Sequence, residues 1–390
     1  MFTVAARFDT VTIHAEDNGL LNRRDFNILA AGLAASFALK PAHGWADETV
    51  SAEAAKLYQS SFVLDCNSLA SIGAVPANER DGFLKAVRAS GVTAVKSTLG
   101  GATGTFEQAV ADIAAADQLI ENSPDVFIKV RNIAELKRCK GDSRMGVIYS
   151  FEAASPLGDQ LDRITLFRGL GVRVMQLCYN RKTPFGVGCL DGETGGLTDL
   201  GRQAIARMNE LGVAVDLSHA NTQTTAEGIA ASKKPPVITH AGCRAVYMHP
   251  RNKDDRELKA LAAKGGVIGI YMLPFLTASP KQPMLADYMQ HMEHALKVCG
   301  EDHVGVGSDV PFETFGPDDI KAVQEDVAKR KAAGVSAPGE DRPPYIPDLN
   351  TPRKMEFIAN ALLKRGYSAS TVEKVLGANF VRVFGEIWTA

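Results

Sequence analysis

Four residues with metal-binding side chains each follow a short apolar run of the sequence. They are Glu152, His219, His240 and Asp309. Imidazole and carboxylate groups are the ligands of catalytic zinc, where three protein ligands leave a fourth position for water. Water in that position has its pKa lowered to about 7 and becomes a nucleophile at neutral pH. The pattern predicts a metal site formed by these imidazoles and one or both of the carboxylates.

Each of these residues also has a structural explanation. A lone histidine after a strand commonly makes an ordinary hydrogen bond, and a glutamate there can cap the next helix. The joint occurrence of the four residues favours the metal site. Tyr179 follows a further apolar run, where a tyrosine either packs locally or contacts a substrate. His291 and His294 are three residues apart on a predicted helix, and an exposed polar face is favoured there over a second metal pair.

Apolar β-branched runs alternate with helical patterns from residue 62 onward. Eight strands are predicted, at 62–65, 92–95, 146–151, 172–177, 213–217, 236–239, 266–270 and 303–307. Eight strands separated by helices indicate an α/β fold of the (β/α)8 TIM barrel type, whose carboxyl strand ends share one mouth. A doubly wound open sheet is the alternative, but no strand is followed by GxGxxG. The barrel brings the polar strand ends together.

The segment after the eighth predicted strand is a C-terminal extension. Helices are predicted near 318–333, 354–365 and 370–377, with a proline-rich loop at 338–352 that would form a rim or a partner contact. We therefore expect residues 47–390 to form one metallohydrolase domain that includes the C-terminal helices.

The composition excludes several classes of protein. The 390 residues carry 43 Lys and Arg against 45 Asp and Glu, so there is no basic surplus for binding nucleic acid. The six cysteines lie far apart without a CxxC pair, which predicts buried thiols and no thiolate zinc site. The sequence is compatible with a homodimer and does not determine the oligomeric state.

The N-terminus has the features of a twin-arginine export signal. Arg23 and Arg24 precede a short apolar run at 28–39, and Gly44 and Ala46 end the segment. The alternative is a surface helix, but the run is hydrophobic on all sides. Because a bilayer span needs about 20 apolar residues, this run is too short to anchor the chain. We expect residues 1–46 to be an export segment and the mature protein to be periplasmic or secreted, with no membrane span.

An ordered set of motifs resembles the membrane (renal) dipeptidase family of zinc peptidases over about residues 60–385. The motifs are Glu152 after its strand, 183–185 (TPF), 196–201 (GLTDLG), 216–219 (DLSH), 236–240 (PVITH), Arg251 with Asn252, 303–309 (HVGVGSD) and 376–380 (LGANF). The resemblance implies a binuclear zinc barrel that cleaves dipeptides. It assigns Glu152 as the bridge between the metals and His219 and His240 as ligands of one zinc.

The resemblance assigns two further roles. Asp309 would serve the other zinc and move the proton, and Arg251 would pair with the substrate carboxylate. Without the family, Arg251 is equally well explained as a surface residue in a polar run.

Two departures from the family pattern affect the predicted chemistry. A His-x-Asp that completes the second zinc site is replaced by Asn67 and Leu69, and a substrate-contacting histidine is replaced by Tyr179. By strand alternation, Cys66 should point away and not substitute. Glu152, His219 and His240 still make a complete three-ligand site, with Asp309 as base or fourth ligand. We therefore predict one tightly bound zinc and at most a weak second one. Restoring Asn67→His and Leu69→Asp should recover the second zinc.

Two functions remain open. In the first, the protein is a zinc dipeptidase in which Tyr179 polarises the scissile carbonyl and Asp309 accepts the proton. In the second, the barrel has lost dipeptidase activity and binds or tailors a peptide-derived small molecule, such as a siderophore precursor.

Overall fold

Parallel strands close into a barrel in the computed structural model, which describes residues 49–389 except 69–71, 73–74, 77, 102, 193 and 333–335. The predicted export segment, 1–46, and Leu69 lie outside the described residues. The strands are β1 (Leu64–Ser68), β2 (Ala94–Thr98), β3 (Phe127–Lys129), β4 (Met145–Phe151), β5 (Val172–Gln176), β6 (Ala214–Asp216), β7 (Val237–Ala241), β8 (Val267–Ile270) and β9 (Val304–Val306).

Eight of these strands make the closed ring. β1 pairs with β2 and β9, β2 pairs with β4, and the remaining strands pair in chain order from β4 to β9, every pair being parallel. The (β/α)8 barrel predicted from the sequence is confirmed, and the open sheet is excluded by the pairing of β2 with β4.

The short strand β3 was not predicted. It pairs with β4 at Phe127 and Met145, on the edge that β5 occupies further along β4. The strand therefore fills the gap between β4 and β5 at their amino-terminal ends without entering the ring. Its three residues are too few to show a periodic pattern in the sequence.

Strand β1 ends with a bulge that changes which side chains reach the mouth. Asp65 pairs with Val95, but Ser68 pairs with Ser97, so two residues of β1 face one residue of β2 between these pairs. A bulge of this kind interrupts the alternation of side chains. Cys66 packs with apolar residues of the barrel interior, while Asn67 reaches the carboxylates at the mouth.

Helices surround the barrel. Their bounds are α1 (Ala52–Ser60), α2 (Arg80–Ser90), α3 (Phe106–Asn122), α4 (Ile133–Asp142), α5 (Asp162–Gly169), α6 (Asp199–Leu211), α7 (Thr222–Ala231), α8 (Asp255–Ala263), α9 (Leu285–Cys299), α10 (Pro317–Ala332), α11 (Lys354–Lys364), α12 (Ala369–Glu373) and α13 (Asn379–Ile387). The predicted cap of α6 is present: the Thr198 hydroxyl accepts from Gly201 N at 3.0 Å, and Gly212 ends the helix with φ 65°.

The C-terminal helices close the amino-terminal end of the barrel. A π-helical turn, Lys374–Ala378, joins α12 to α13, which brings Phe380, Phe384 and Trp388 against the apolar interior of the barrel. A Cβ at Gly377 would lie 2.4 Å from Phe62 O, so only glycine permits this approach. The 376–380 motif therefore has a structural role, far from the mouth.

The proline-rich loop at 338–352 lies along the segment that follows β8. Arg342 donates to backbone carbonyls of that segment, with 2.7 Å to both Pro274 O and Ser279 O. His249 Nε2 lies 2.8 Å from Pro338 O, on the same side of the barrel. The loop forms part of the rim.

All six cysteines are buried and unpaired, which confirms the predicted buried thiols. Within the described part of the chain, no helix has the length and apolar character needed to cross a membrane.

Candidate metal centre

Three predicted ligands converge at the mouth of the barrel. One ligand atom from each of Glu152, His219 and His240 lies within 4.8 Å of the others, and all three residues are buried. His219 Nε2 and His240 Nε2 are 2.9 Å apart, and His240 Nε2 is 3.9 Å from Glu152 Oε1. The residues come from the ends of β4, β6 and β7, far apart in sequence, because parallel strands end at one face.

Hydrogen bonds at the far side of each ring determine the tautomers of the two histidines. His219 Nδ1 lies 2.8 Å from Asn180 Oδ1, which can only accept. His240 Nδ1 lies 3.0 Å from Thr239 Oγ1, whose own hydrogen is donated to Asp216 Oδ2 at 2.5 Å. Both Nδ1 atoms must therefore donate, and both Nε2 atoms carry lone pairs directed at the same point.

Asp216 holds this arrangement from below. Its Oδ1 accepts from Ser218 N at 3.0 Å and from Ser218 Oγ at 2.5 Å, and it also accepts from Thr239 N at 3.1 Å. One buried carboxylate thus orients the backbone before His219 and the residue before His240. This is the outer support that metal-binding histidines commonly have.

The environment keeps both imidazoles neutral. Burial, and then the charge of Arg251, lowers the pKa of His219 and of His240 well below the usual value. A neutral imidazole is the form that binds a metal, because its second nitrogen has a free lone pair.

The donors fit a zinc ion. Zinc with bonds of about 2.0–2.1 Å in tetrahedral geometry places its ligand atoms about 3.3 Å apart. The observed separations of 2.9 Å and 3.9 Å lie on either side of that value. Two lone pairs at 2.9 Å repel each other unless a cation lies between them, so the donor set itself fits a bound metal cation.

Asn67 and Asp309 form the other side of the mouth. Asn67 Nδ2 donates to Asp309 Oδ1 at 2.7 Å and to Glu152 Oε1 at 3.1 Å. Asn67 Oδ1 is buried and has no hydrogen-bond partner. Asp309 contacts the triad through this amide and is not among the three residues whose ligand atoms lie within 4.8 Å of one another.

Asp309 is held in a strained backbone conformation. Its φ is 58°, which a residue other than glycine rarely adopts, and its N–H donates to Asn67 O at 2.7 Å. Asp65 supports the preceding residue by accepting from Ser308 N at 2.8 Å and from Ser308 Oγ at 2.5 Å. The strain is maintained by these contacts and points the carboxylate into the mouth.

Burial raises the pKa of the carboxyl groups near the mouth, whereas it lowers the pKa of the two imidazoles. It raises the pKa of Asp65 to about 6, against the hydrogen bonds from Ser308. Burial, followed by the charge of Glu152, also raises the pKa of Asp309, while Arg251 and Lys96 oppose the rise.

Arg251 is buried beside the site, which excludes a surface role. Its side chain is among the largest that are fully buried, and Nη1 donates to Ser218 O at 2.6 Å. The guanidinium lies over Tyr271, 5.7 Å from the ring centroid, and forms no ion pair with the described residues. Tyr179 is half-buried and stacks on His219 with centroids 4.1 Å apart.

His291 and His294 differ from the exposed polar face predicted for them. His291 is fully buried: Nδ1 accepts from Cys243 N at 2.8 Å and Nε2 lies 2.9 Å from Leu276 O. His294 is half-buried and pairs with Asp255 Oδ1 at 2.7 Å. The pair does not converge on a metal. The backbone and thiol of Cys243, just after β7, pack on this helix, which spacing alone could not show.

Sequence reasoning missed three residues of the site. Asn180 and Thr239 orient the imidazoles, and Lys96 places a buried ammonium in the barrel interior. A lysine inside an apolar strand was a usable signal for Lys96. Asn180 lies in a loop, so only the tertiary structure identifies its partner.

Comparisons with known proteins agree with this geometry. A profile of the membrane dipeptidases, peptidase family M19, matches residues 66–330. Dipeptidase tcpJ of Claviceps purpurea is 25% identical over 290 residues, 73% of this chain and 60% of its own length. An uncharacterized Klebsiella pneumoniae protein, encoded in the pqqA 5′ region, is 27% identical over 71% of this chain and 94% of its own.

Solved structures show the same fold. An amidohydrolase from Pseudomonas aeruginosa superimposes with a TM-score of 0.73 and 30% identity, covering 86% of this chain and 99% of its own. A Rhodobacter sphaeroides metallo peptidase, liganded with a phosphinate mimic of L-Ala-D-Ala, has a TM-score of 0.68 and 22% identity, covering 84% and 99%. Because the profile spans most of the barrel, this chain belongs to the membrane dipeptidase family, M19.

Proposed function

We propose that this protein is a zinc-dependent dipeptidase that hydrolyses the peptide bond of dipeptides. The observation that carries the proposal is the pair of unprotonated Nε2 atoms of His219 and His240, 2.9 Å apart and beside Glu152. A zinc ion bound there supplies the Lewis acidity that makes water a nucleophile at neutral pH. Matches to proteins named dipeptidases, at 25% to 27% identity, support the same class of reaction.

Arg251 would bind the carboxylate end of the substrate. Its buried guanidinium has no anionic partner within the described structure, and an unpaired buried charge is costly. A substrate carboxylate would relieve that cost through two parallel hydrogen bonds. This role limits substrates to short peptides whose carboxyl terminus lies near the scissile bond.

Asp309 and Tyr179 would handle the proton and the developing charge. The Asp309 carboxylate is oriented by Asn67 and accepts the proton of the attacking water. The Tyr179 hydroxyl would donate to the carbonyl oxygen as negative charge develops there. The ring of Tyr179 stacks on His219, so this side chain lies beside the proposed metal ligands.

A second candidate function rests on Asn67. Its amide lies between Glu152 and Asp309, where it makes hydrogen bonds to both carboxylates. A second metal ion cannot occupy the position that this amide fills. If hydrolysis of dipeptides requires that second ion, the barrel would instead bind or modify a peptide-derived small molecule such as a siderophore precursor.

Metal analysis and turnover of a dipeptide panel by the purified protein test the proposal. We expect one zinc per chain and turnover that Glu152→Ala abolishes, whereas Glu386→Ala, a surface change, has no effect. Bound zinc without turnover of any dipeptide would favour the second function. A chain that binds no metal would contradict both the site and the reaction.

We also propose that the protein is exported by the twin-arginine route to the periplasm. The support is Arg23, Arg24 and the apolar run that follows them. Replacing both arginines by lysine should retain the protein in the cytoplasmic fraction, and unchanged fractionation would exclude this route.

A further inference from the structure

Lys96 is a buried ammonium beneath the metal centre. Its relative exposure is 0%, and Nζ donates to Ser150 Oγ at 3.1 Å. Among the described residues it forms no ion pair within 4.0 Å. Burying an unpaired charge costs several kcal/mol by rough estimate. Such a residue is expected to serve a site that compensates the charge.

The position of Lys96 connects it to both sides of the mouth. It lies in β2 between Val95, the partner of Asp65, and Ser97, the partner of Ser68, so it faces the bulge that carries Asn67. Its Nζ donates to Ser150, which lies in β4 two residues before Glu152. The ammonium therefore lies below both Asn67 and Glu152, the residues of the mouth nearest to a second ion.

Asn67 completes this arrangement at the level of the ligands. Two carboxylates that approach one point repel each other unless positive charge or hydrogen-bond donors separate them. The Asn67 amide supplies a donor to each, at 3.1 Å to Glu152 and 2.7 Å to Asp309. A second metal ion would have to displace this amide.

The charges of the site lead to the same conclusion. Glu152 and Asp309 contribute two negative charges, while Lys96 and Arg251 contribute two positive ones, and one divalent ion adds two more. A substrate carboxylate then offsets the charge of Arg251. The buried carboxylates of Asp65 and Asp216 add two further negative charges, so one divalent ion brings the count to neutrality, and a second would leave two positive charges inside a buried site, which is unfavourable.

We propose that Lys96 and Asn67 together replace a second metal ion, so that the centre holds one divalent cation and Asn67 positions Asp309. The inference rests on the proposed metal site. In this arrangement Lys96 supplies charge and does not touch the substrate.

The affinity of the metal-free mature protein for Zn²⁺, measured by chelator competition, tests the role of Lys96. Lys96→Met retains the volume and removes the charge that repels the ion, so we expect binding to tighten at least tenfold, about 1.4 kcal/mol. The matched control is Lys354→Met. Lys354 is also buried and donates to Pro311 O, but its charge acts on Asp65 and Glu313, so its affinity change should stay within about twofold.

Asn67→Asp is an independent variant with nearly unchanged shape. It places three carboxylates around one point, and we expect elemental analysis to show close to two ions per chain, against one in the wild type. Rescue of the single-ion state by Asn67→Gln would confirm that the amide donor matters.

Unchanged or weaker Zn²⁺ binding in Lys96→Met would overturn the role of Lys96 while leaving the dipeptidase proposal intact. If Lys96→Met does not fold, the count in Asn67→Asp decides: a single ion per chain would overturn the inference. A wild-type chain that binds no ion would overturn the metal site and this inference together.

Discussion

The two sides of the barrel mouth are built on the same plan but end in different chemistry. On the side of β6 and β7, Asp216 binds Ser218 and Thr239 and thereby orients His219 and His240. On the side of β1 and β9, Asp65 binds Ser308 and thereby orients Asp309. Each side uses a buried aspartate that accepts short hydrogen bonds from hydroxyl groups. The first side ends in metal ligands, and the second ends in an amide and a carboxylate.

The difference shows that a buried supporting aspartate can be present on a side of the mouth whether or not that side carries the histidine ligands. The β1 and β9 side has a supporting carboxylate although Asn67 stands where the family resemblance implies a ligand, and this carboxylate helps to hold Asp309 with φ at 58°. We infer that one side binds the ion and the other handles protons. Substitutions on the two sides should therefore change different measured quantities.

The largest effect is expected when a ligand is removed from the β6 and β7 side. His240→Ala should weaken zinc binding by more than about 100-fold, because loss of a ligand exceeds loss of its outer support. Turnover should fall to background. His294→Ala, a half-buried histidine paired with Asp255, is the control and should bind zinc normally. Equal zinc affinity in both variants would show that the triad is not the metal site.

The next largest effect is expected on the pH dependence of the free energy of unfolding of the metal-free protein, because the titrating groups of the two sides change it in opposite directions. His219 and His240 have lowered pKa values, so below about pH 6.5 only the unfolded chain takes up protons and stability falls. Their joint contribution is about 2.7 kcal/mol per pH unit as pH decreases. The raised pKa of Asp65, about 6, acts in the opposite direction, because stability is lost as pH rises through that value.

Denaturant unfolding of the metal-free chain between pH 5 and 7 measures these slopes. A His219→Gln/His240→Gln variant should lose only part of the acid-side decrease, because burial also lowers the pKa of His249 and of His291 to about 4, and it should retain the opposing contributions of Asp65 and Asp309. A variant with the same slope as the wild type would show that these imidazoles are not the titrating groups.

Thr239→Val should weaken zinc binding by about 10- to 100-fold, the range typical for outer partners of metal ligands. The valine is similar in shape and removes the hydroxyl that accepts from His240 Nδ1. Titration of the metal-free protein with Co²⁺ measures this directly. An affinity equal to that of the wild type would mean that Asp216 does not act through Thr239.

Ser308→Ala is expected to have the smallest effect and on a different quantity. It removes the 2.5 Å hydrogen bond to Asp65, which loosens the backbone before Asp309. We expect kcat to decrease about tenfold, less than the roughly 100-fold cost of a 1 Å misplacement. Zinc affinity should remain within about twofold. A loss of zinc with unchanged kcat would reverse the roles assigned to the two sides.

Much of the fold was readable from the sequence because it depends on local patterns. The eight ring strands, the cap at Thr198 and the helical C-terminal extension follow from periodicity and capping residues. The strand β3 was not predictable, since its three residues pair only where β4 and β5 diverge. The bulge in β1 was also missed, because register depends on the neighbouring strand.

The amino-acid sequence by itself determined the barrel, the family and the set of possible ligands, since residue type limits metal chemistry and apolar periodicity limits the fold. Only the tertiary structure decided how these residues work together. It placed Asn67 between two carboxylates and Lys96 beneath the site. It also determined the tautomers of His219 and His240, through their hydrogen bonds to Asn180 and Thr239. These contacts join residues far apart in the chain, and their geometry is set by strand register and packing, which no local pattern records.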